Sequence, residues 1–220
     1  ITSIDIPSLT IINDESFAYC KNLKSVSLES CTYIGVMAFY YCSKLEYIYL
    51  PNLTEISNRA FAYTSLTNIE LNSLTKVTTT KYSSSGTIGD HFSNCQLLVN
   101  VTMKKLSYIQ YRMFASCSQL QYVDAPCVTS IGYESFRGCN IYSNITFPII
   151  NDVGTNSFYG NSGIIDIKLP TLTTIGDYAF SYCNNLRSFS AENCTYINDN
   201  AFYYSSKLET VYFPNLREIE

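Results

Sequence analysis

The chain has 220 residues, of which 15% are charged, and a formal net charge of −4 at pH 7. It carries no basic stripe of the kind that phosphate backbones require, which argues against nucleic acid as a partner. No apolar run approaches the ~18 residues of a membrane span, so membrane insertion by this segment is not expected.

Phe17, Phe39, Phe61, Phe92, Phe114, Phe136, Phe158, Phe180 and Phe202 recur every 22 residues, except for the interval of 31 from Phe61 to Phe92. A fixed period in this range is the signature of a stacked solenoid. Copies open on a large apolar residue at Ile1, Leu23, Leu45, Leu66, Leu98, Leu120, Tyr142, Ile164, Leu186 and Leu208, giving nine full coils and a partial tenth. One continuous solenoid over residues 1–220 is expected, because neighbouring coils must bury each other's apolar faces. The chain begins with Ile1 and stops at Glu220 partway through a copy, so we read it as a segment of a longer protein.

Counting each coil from its opening residue, positions 4 and 6 are apolar and position 5 is usually polar, as in Leu45-Glu46-Tyr47-Ile48-Tyr49-Leu50. This alternation predicts a short strand. Pro7, Pro51, Pro126, Pro148, Pro170 and Pro214 then stand at position 7 and end it, since proline cannot donate to a ladder. Position 10 is Thr32, Thr54, Thr75, Thr129, Thr173, Thr195 or a similar small hydroxyl in most copies, which predicts a hydroxyl column bonded to turn backbone. Position 12 is Ile or Val throughout. At position 13, Gly35, Gly132, Gly154 and Gly176 alternate with Asn13 and Asn198, residues that tolerate positive φ or cap a helix. Beyond it, Ala179, Phe180 and Cys183 would share one side of a single helical turn, so a short α or 3-10 turn is expected there.

Between Val77 and Phe92 the pattern opens by ten residues, 78–87, rich in Ser, Thr and Gly. This composition predicts a flexible excursion loop, either tolerated or used as a contact beside the solenoid. Cys20, Cys42, Cys95, Cys117, Cys139 and Cys183 all follow the marker Phe by three residues, where Thr64, Asn161 and Ser205 stand in other coils. A slot shared by these four residue types selects a small side chain. The nine cysteines are therefore expected to be free and structural, with disulfides between stacked coils as the competing reading.

The phrase L-x-x-I-x-L-P-x-L-T-x-I-G-x-x-A-F-x-x-C, nearly intact from Ile164 to Cys183, resembles the BspA-like leucine-rich repeat. The usual spacing of that family is one residue longer. The fold class implied is an α/β repeat solenoid, a right-handed leucine-rich-repeat horseshoe with a parallel β-sheet on the concave face and helical or 3-10 turns on the convex side. The resemblance also implies a cell-surface or secreted protein, linked in several relatives to adhesion. It supplies no shared catalytic residues.

Enzymatic constellations fail on supply. His91 is the single histidine and reads as a packed or half-exposed side chain. No C-x-x-C, G-x-x-x-x-G-K-[ST], G-x-S-x-G or H-E-x-x-H occurs, so neither a metal site nor a cofactor is expected. Sequons at Asn52, Asn100, Asn144 and Asn193 matter only in a eukaryotic secretory pathway.

Binding is better supplied. Positions 2, 3 and 5 point away from the core by strand alternation, which places Tyr47, Tyr49, Asn68, Glu70, Tyr122 and Asp124 on the concave sheet, with Asn100, Thr102, Asn144 and Thr146 beside them. Tyrosine offers a large rigid contact area and one hydroxyl. A non-catalytic recognition or adhesion module for a host or neighbouring-cell protein or glycan is the expected function. A structural spacer displaying another domain is the alternative.

Overall fold

The computed structural model describes residues 1–78, 80–82, 86–142 and 147–220. Two kinds of short strand recur from coil to coil among the described residues. Three-residue strands occupy positions 3 to 5 and stack in parallel, in register, at a constant place in the repeat: Ile4 lies beside Val26 and Val26 beside Ile48. Two-residue strands at positions 11 and 12 form a second column, in which Ile12 faces Ile34, Ile34 faces Ile56 and Ile56 faces Val77. A further six such strands run from Tyr108–Ile109 to Glu218–Ile219. Equivalent residues become vertical stripes, and those at positions 4, 12 and 17 are apolar in every coil because each occupies one environment.

The interior is built from those stripes. In the second coil Leu23, Val26, Leu28, Cys31, Ile34, Ala38, Phe39 and Cys42 are all fully buried. The marker phenylalanines stack face to face along the whole array, with centroids 5.1 to 5.8 Å apart. This spacing lies within the range of offset-stacked rings and follows from the separation of parallel strands. The excursion leaves the column intact, since Phe61 and Phe92 remain 5.3 Å apart. Within the excursion itself, Thr80–Tyr82 and Gly86–Ile88 pair antiparallel, so this part of it is a hairpin. Residues 79 and 83–85 of the expected loop lie outside the described residues.

The expected helical or 3-10 turns are not present: no helix forms among the described residues. Alternate N–H groups of this segment serve different partners. Those of Ala18 and Cys20 close tight turns onto Glu15 and Phe17, whereas those of Glu15, Phe17 and Tyr19 leave the coil for the carbonyls of Val36, Ala38 and Tyr40. Half the donors a helix needs therefore go to the next coil. Positions 15 and 19 also take positive φ in all nine coils, from Glu15 and Tyr19 (φ 55 and 60) to Asn200 and Tyr204 (φ 56 and 54). A right-handed helix cannot pass through them.

Positive φ thus falls at positions 15 and 19, and not at position 13 as the glycines suggested. Position 13 needs a small residue for another reason. A Cβ on Gly176 would lie 2.7 Å from the Gly154 carbonyl carbon of the preceding coil.

The threonine column behaves as expected. Thr32, Thr54 and Thr173 each donate their hydroxyl to the carbonyl at position 10 of the preceding coil, at 3.2, 3.0 and 2.8 Å. All nine cysteines are free thiols. Their slot selects more than size. Cys95, Cys117 and Cys139 donate to the carbonyls of Phe61, Phe92 and Phe114 in the preceding coil, and Ser205 and Asn161 do the same to Phe180 and Phe136. A second donor therefore ties each of these coils to the backbone of the one before, whereas Thr64 bonds Phe61 of its own coil.

Candidate functional site

Pleat alternation buries the central residue of each three-residue strand and turns its neighbours outward. Ile48 is 7% exposed, while Tyr47 and Tyr49 on either side are 57% and 44% exposed. Tyr122 is likewise outward. Among the described residues, none of these three hydroxyls bonds to another protein group.

The stack of three-residue strands is broken at one place where every residue is described. Tyr47–Tyr49 ends one sheet, and Asn68–Glu70 begins the next. On either side of the break the coils are joined by bonds from Leu28 N–H to the Tyr49 carbonyl (3.0 Å) and from Leu71 N–H to the Thr102 carbonyl (2.8 Å). The equivalent bond from Leu50 N–H to the Glu70 carbonyl is absent. Likewise Glu46 N–H reaches the Lys24 carbonyl and Val99 N–H reaches that of Thr67, but Thr67 N–H does not reach Glu46. The two-residue strands continue unbroken past the same coils, with Glu55 beside Lys76.

The cause lies in the turn before the strand. From Phe39 to Leu45 the chain advances six residues, and from Phe61 to Leu66 only five. The longer turn is closed by a bond from Leu45 N–H to the Cys42 carbonyl, and its counterpart is missing in the shorter one. One skipped residue draws the strand out of the ladder while the buried columns hold their register.

A groove of about 510 Å³ opens along the break, walled by Glu46, Tyr47, Tyr49 and Pro51 on one side and by Thr67, Asn68, Glu70 and Asn72 on the other. A shallower cleft of about 410 Å³, lined in part by Tyr41, Tyr63, Thr64 and Ser65, lies against the shortened turn itself. The groove brings together four of the residues expected on this face: Tyr47, Tyr49, Asn68 and Glu70. Tyr122 and Asp124 sit two strands beyond Glu70, across Asn100–Thr102, and do not line it. Asp124 is ion-paired to Lys104 rather than left free. The Asn100 amide is bonded to Asn68 at 2.6 Å. Asn144, with its sequon, and Thr146 lie outside the described residues.

His91 is fully buried, with Nε2 3.1 Å from the Thr78 carbonyl. Burial pushes its pKa down to about 4, so it is neutral at pH 7. It anchors the start of the excursion and has no access to a substrate. Among the described residues no group of His, Cys, Asp and Glu is placed to hold a metal ion, and no helix is long and apolar enough to cross a membrane.

A charge ladder on the turn segment escaped the sequence reading. Position 15 of four successive coils is Arg59, Asp90, Arg112 and Glu134, alternating in sign, and Arg112 bonds both Asp90 and Glu134 at 2.9 Å. Arg137 adds a 2.6 Å bond to Glu134 and lies over the Tyr159 ring. Aligning position 15 across coils would have exposed it.

The repeat geometry agrees with the family comparison: the profile of the BspA type leucine rich repeat region matches in six copies over residues 1–88, 73–142 and 125–220. The chain belongs to the BspA-type leucine-rich repeat family. Among solved structures, the repeat chain is similar to the pneumococcal vaccine antigen PcpA, with 18% identity and a TM-score of 0.51 over 96% of this chain and 60% of that one. It is also similar to a leucine-rich repeat protein from Eubacterium ventriosum (16% identity, TM-score 0.48, 100% and 74% of the two chains). A leucine rich cell surface protein from Faecalibacterium prausnitzii is a third (20% identity, TM-score 0.43, 97% and 73%). At these identities the likeness concerns the fold alone. No curated protein matches this BspA-type chain.

Proposed function

We propose that this chain is a non-catalytic recognition module, displayed at a cell surface or secreted, that holds a partner's protein or glycan on the face of its three-residue strands. That face is the concave side implied by the family resemblance. The observation that carries the reading is the break in the strand ladder, where Tyr47 and Tyr49 stand exposed over a groove floored by unpaired main-chain groups. A fold built for uniform stacking forgoes backbone bonds there and leaves two large aromatic side chains in water, an arrangement that serves contact better than stability. Tyr122 and Asp124 extend the surface on the coil beyond Asn100–Thr102.

A combined glycan and host-protein array probed with the wild-type chain tests this. Tyr47→Ala and Tyr49→Ala should lower the signal of bound ligands about tenfold, as removal of an aromatic anchor does, with Tyr122→Ala a smaller loss. Unchanged binding in all three variants would remove the groove from the site.

A further inference from the structure

We infer that the groove between Tyr49 and Glu70 takes a basic, extended polypeptide segment, whose Lys or Arg side chains sit between the tyrosine rings and the carboxylates of Glu46 and Glu70. The inference rests on the recognition reading above and names the chemistry of its ligand.

Charge is the first argument. Ten residues line the groove, and two are glutamates while none is Lys or Arg. Among the described residues, neither Glu46 nor Glu70 forms an ion pair, whereas Asp124 pairs with Lys104 and Glu192 with Lys168. Lys24, at the place equivalent to Glu46 one coil away, makes no pair with it. A neutral ligand would have to cover two uncompensated carboxylates, and an anionic one would be repelled. A cationic side chain compensates both.

Aromatic geometry is the second. Tyr47 and Tyr49 bracket the strand with free hydroxyls and no stacking partner, unlike Tyr41 and Tyr63 on the turn segment, whose rings stack 4.3 Å apart. Ring faces left open beside carboxylates suit a guanidinium or ammonium, which gains from the ring quadrupole as well as from the charge.

The third is the main chain. Thr67 N–H and the Glu46 carbonyl lose their ladder bond at the groove, as do Leu50 N–H and the Glu70 carbonyl. An extended peptide offers donors and acceptors in alternation and can engage such groups, in the manner of a strand added to a sheet edge.

The test uses the full chain and four labelled dodecapeptides, in which Ser alternates with Lys, Arg, Gln or Glu, in fluorescence anisotropy at about 0.05 M and about 0.5 M salt. The Lys and Arg peptides should bind at least about tenfold tighter than the Gln peptide at low salt, with the Glu peptide weakest. The double variant Glu46→Gln/Glu70→Gln should lose about tenfold of that affinity, whereas Glu209→Gln/Glu218→Gln, which removes the same charge from a remote coil, should lose less than about twofold. Equal loss in both double variants, or equal affinity for the Lys and Gln peptides, overturns the inference. If the basic peptides fail while an array ligand still depends on Tyr49, the inference falls and the recognition reading stands. If the basic peptides bind but Tyr47→Ala and Tyr49→Ala change nothing, both fall.

Discussion

The Cys117 thiol donates to the carbonyl oxygen of Phe92, one coil earlier, across 3.0 Å. The same relationship ties Cys139 to Phe114 and Cys183 to Phe158. It runs beside the phenylalanine stack, so these coils are fixed to their neighbours by both a ring contact and a side-chain bond. Replacing Cys117 by Ala removes the donor and leaves a small void. We expect a loss of about 1–2 kcal/mol in urea unfolding, and less than half of that for Cys117→Ser, which keeps a donor as Ser205 does. Equal losses would show that the slot selects volume alone.

Reactivity of the thiols gives a second prediction. Burial pushes Cys42 and Cys183 up to about 12, so both stay protonated at neutral pH. Cys127 alone is exposed. In native protein a thiol-specific disulfide reagent should modify Cys127 first, and in denaturant without reductant it should find all nine. Recovery of fewer than nine would reveal bridges.

His91 should make the fold acid-sensitive. The unfolded chain takes up a proton on this side chain below pH 6.5, while the folded chain refuses it until about pH 4. Stability associated with the neutral ring is therefore full above pH 6.5 and is lost as pH falls through this window, by about 3 kcal/mol at its lower end. His91→Met, which copies the buried Met113 at the equivalent position, should flatten the difference between pH 7 and pH 4.5 relative to wild type. Parallel profiles for the two proteins would show that His91 does not carry the effect.

Backbone strain can be isolated at Gly160. Its φ is +73 and a Cβ there would meet no atom within 4 Å, so Gly160→Ala adds only the left-handed penalty. A loss of about 1 kcal/mol is expected. Conversely Ser116→Gly, at the same position of coil five with φ 62, should gain stability. Opposite signs for the pair are the check.

Much of this was visible in the letters. The phenylalanine interval pointed to the stacked column, and the alternation around Ile48 placed Tyr47 and Tyr49 outward. The turn segment was misread because Ala179, Phe180 and Cys183 fit a helical face equally well. Only the pairing of alternate N–H groups across coils distinguishes the two, and that is a relation between distant residues. Gly138 and Gly160 at position 19 were the local hint of positive φ, while the glycines of position 13, read as tolerating positive φ, are there because of close packing. The groove was legible in principle from the five-residue step between Phe61 and Leu66. Its consequence was not, because whether a missing residue shifts the buried column or breaks the outer ladder depends on which of them holds its neighbours more tightly.

The central claim is that this missing residue opens the strand face at Tyr49 and Glu70. Amide hydrogen exchange at Thr67, compared with the equivalent Val99, tests it most directly, in wild type and in a variant with one Asn inserted between Thr64 and Ser65. The account predicts fast exchange at Thr67 in wild type, slow exchange at Val99, and protection of Thr67 once the residue is restored. Equal protection of Thr67 and Val99 in the wild-type chain would contradict it.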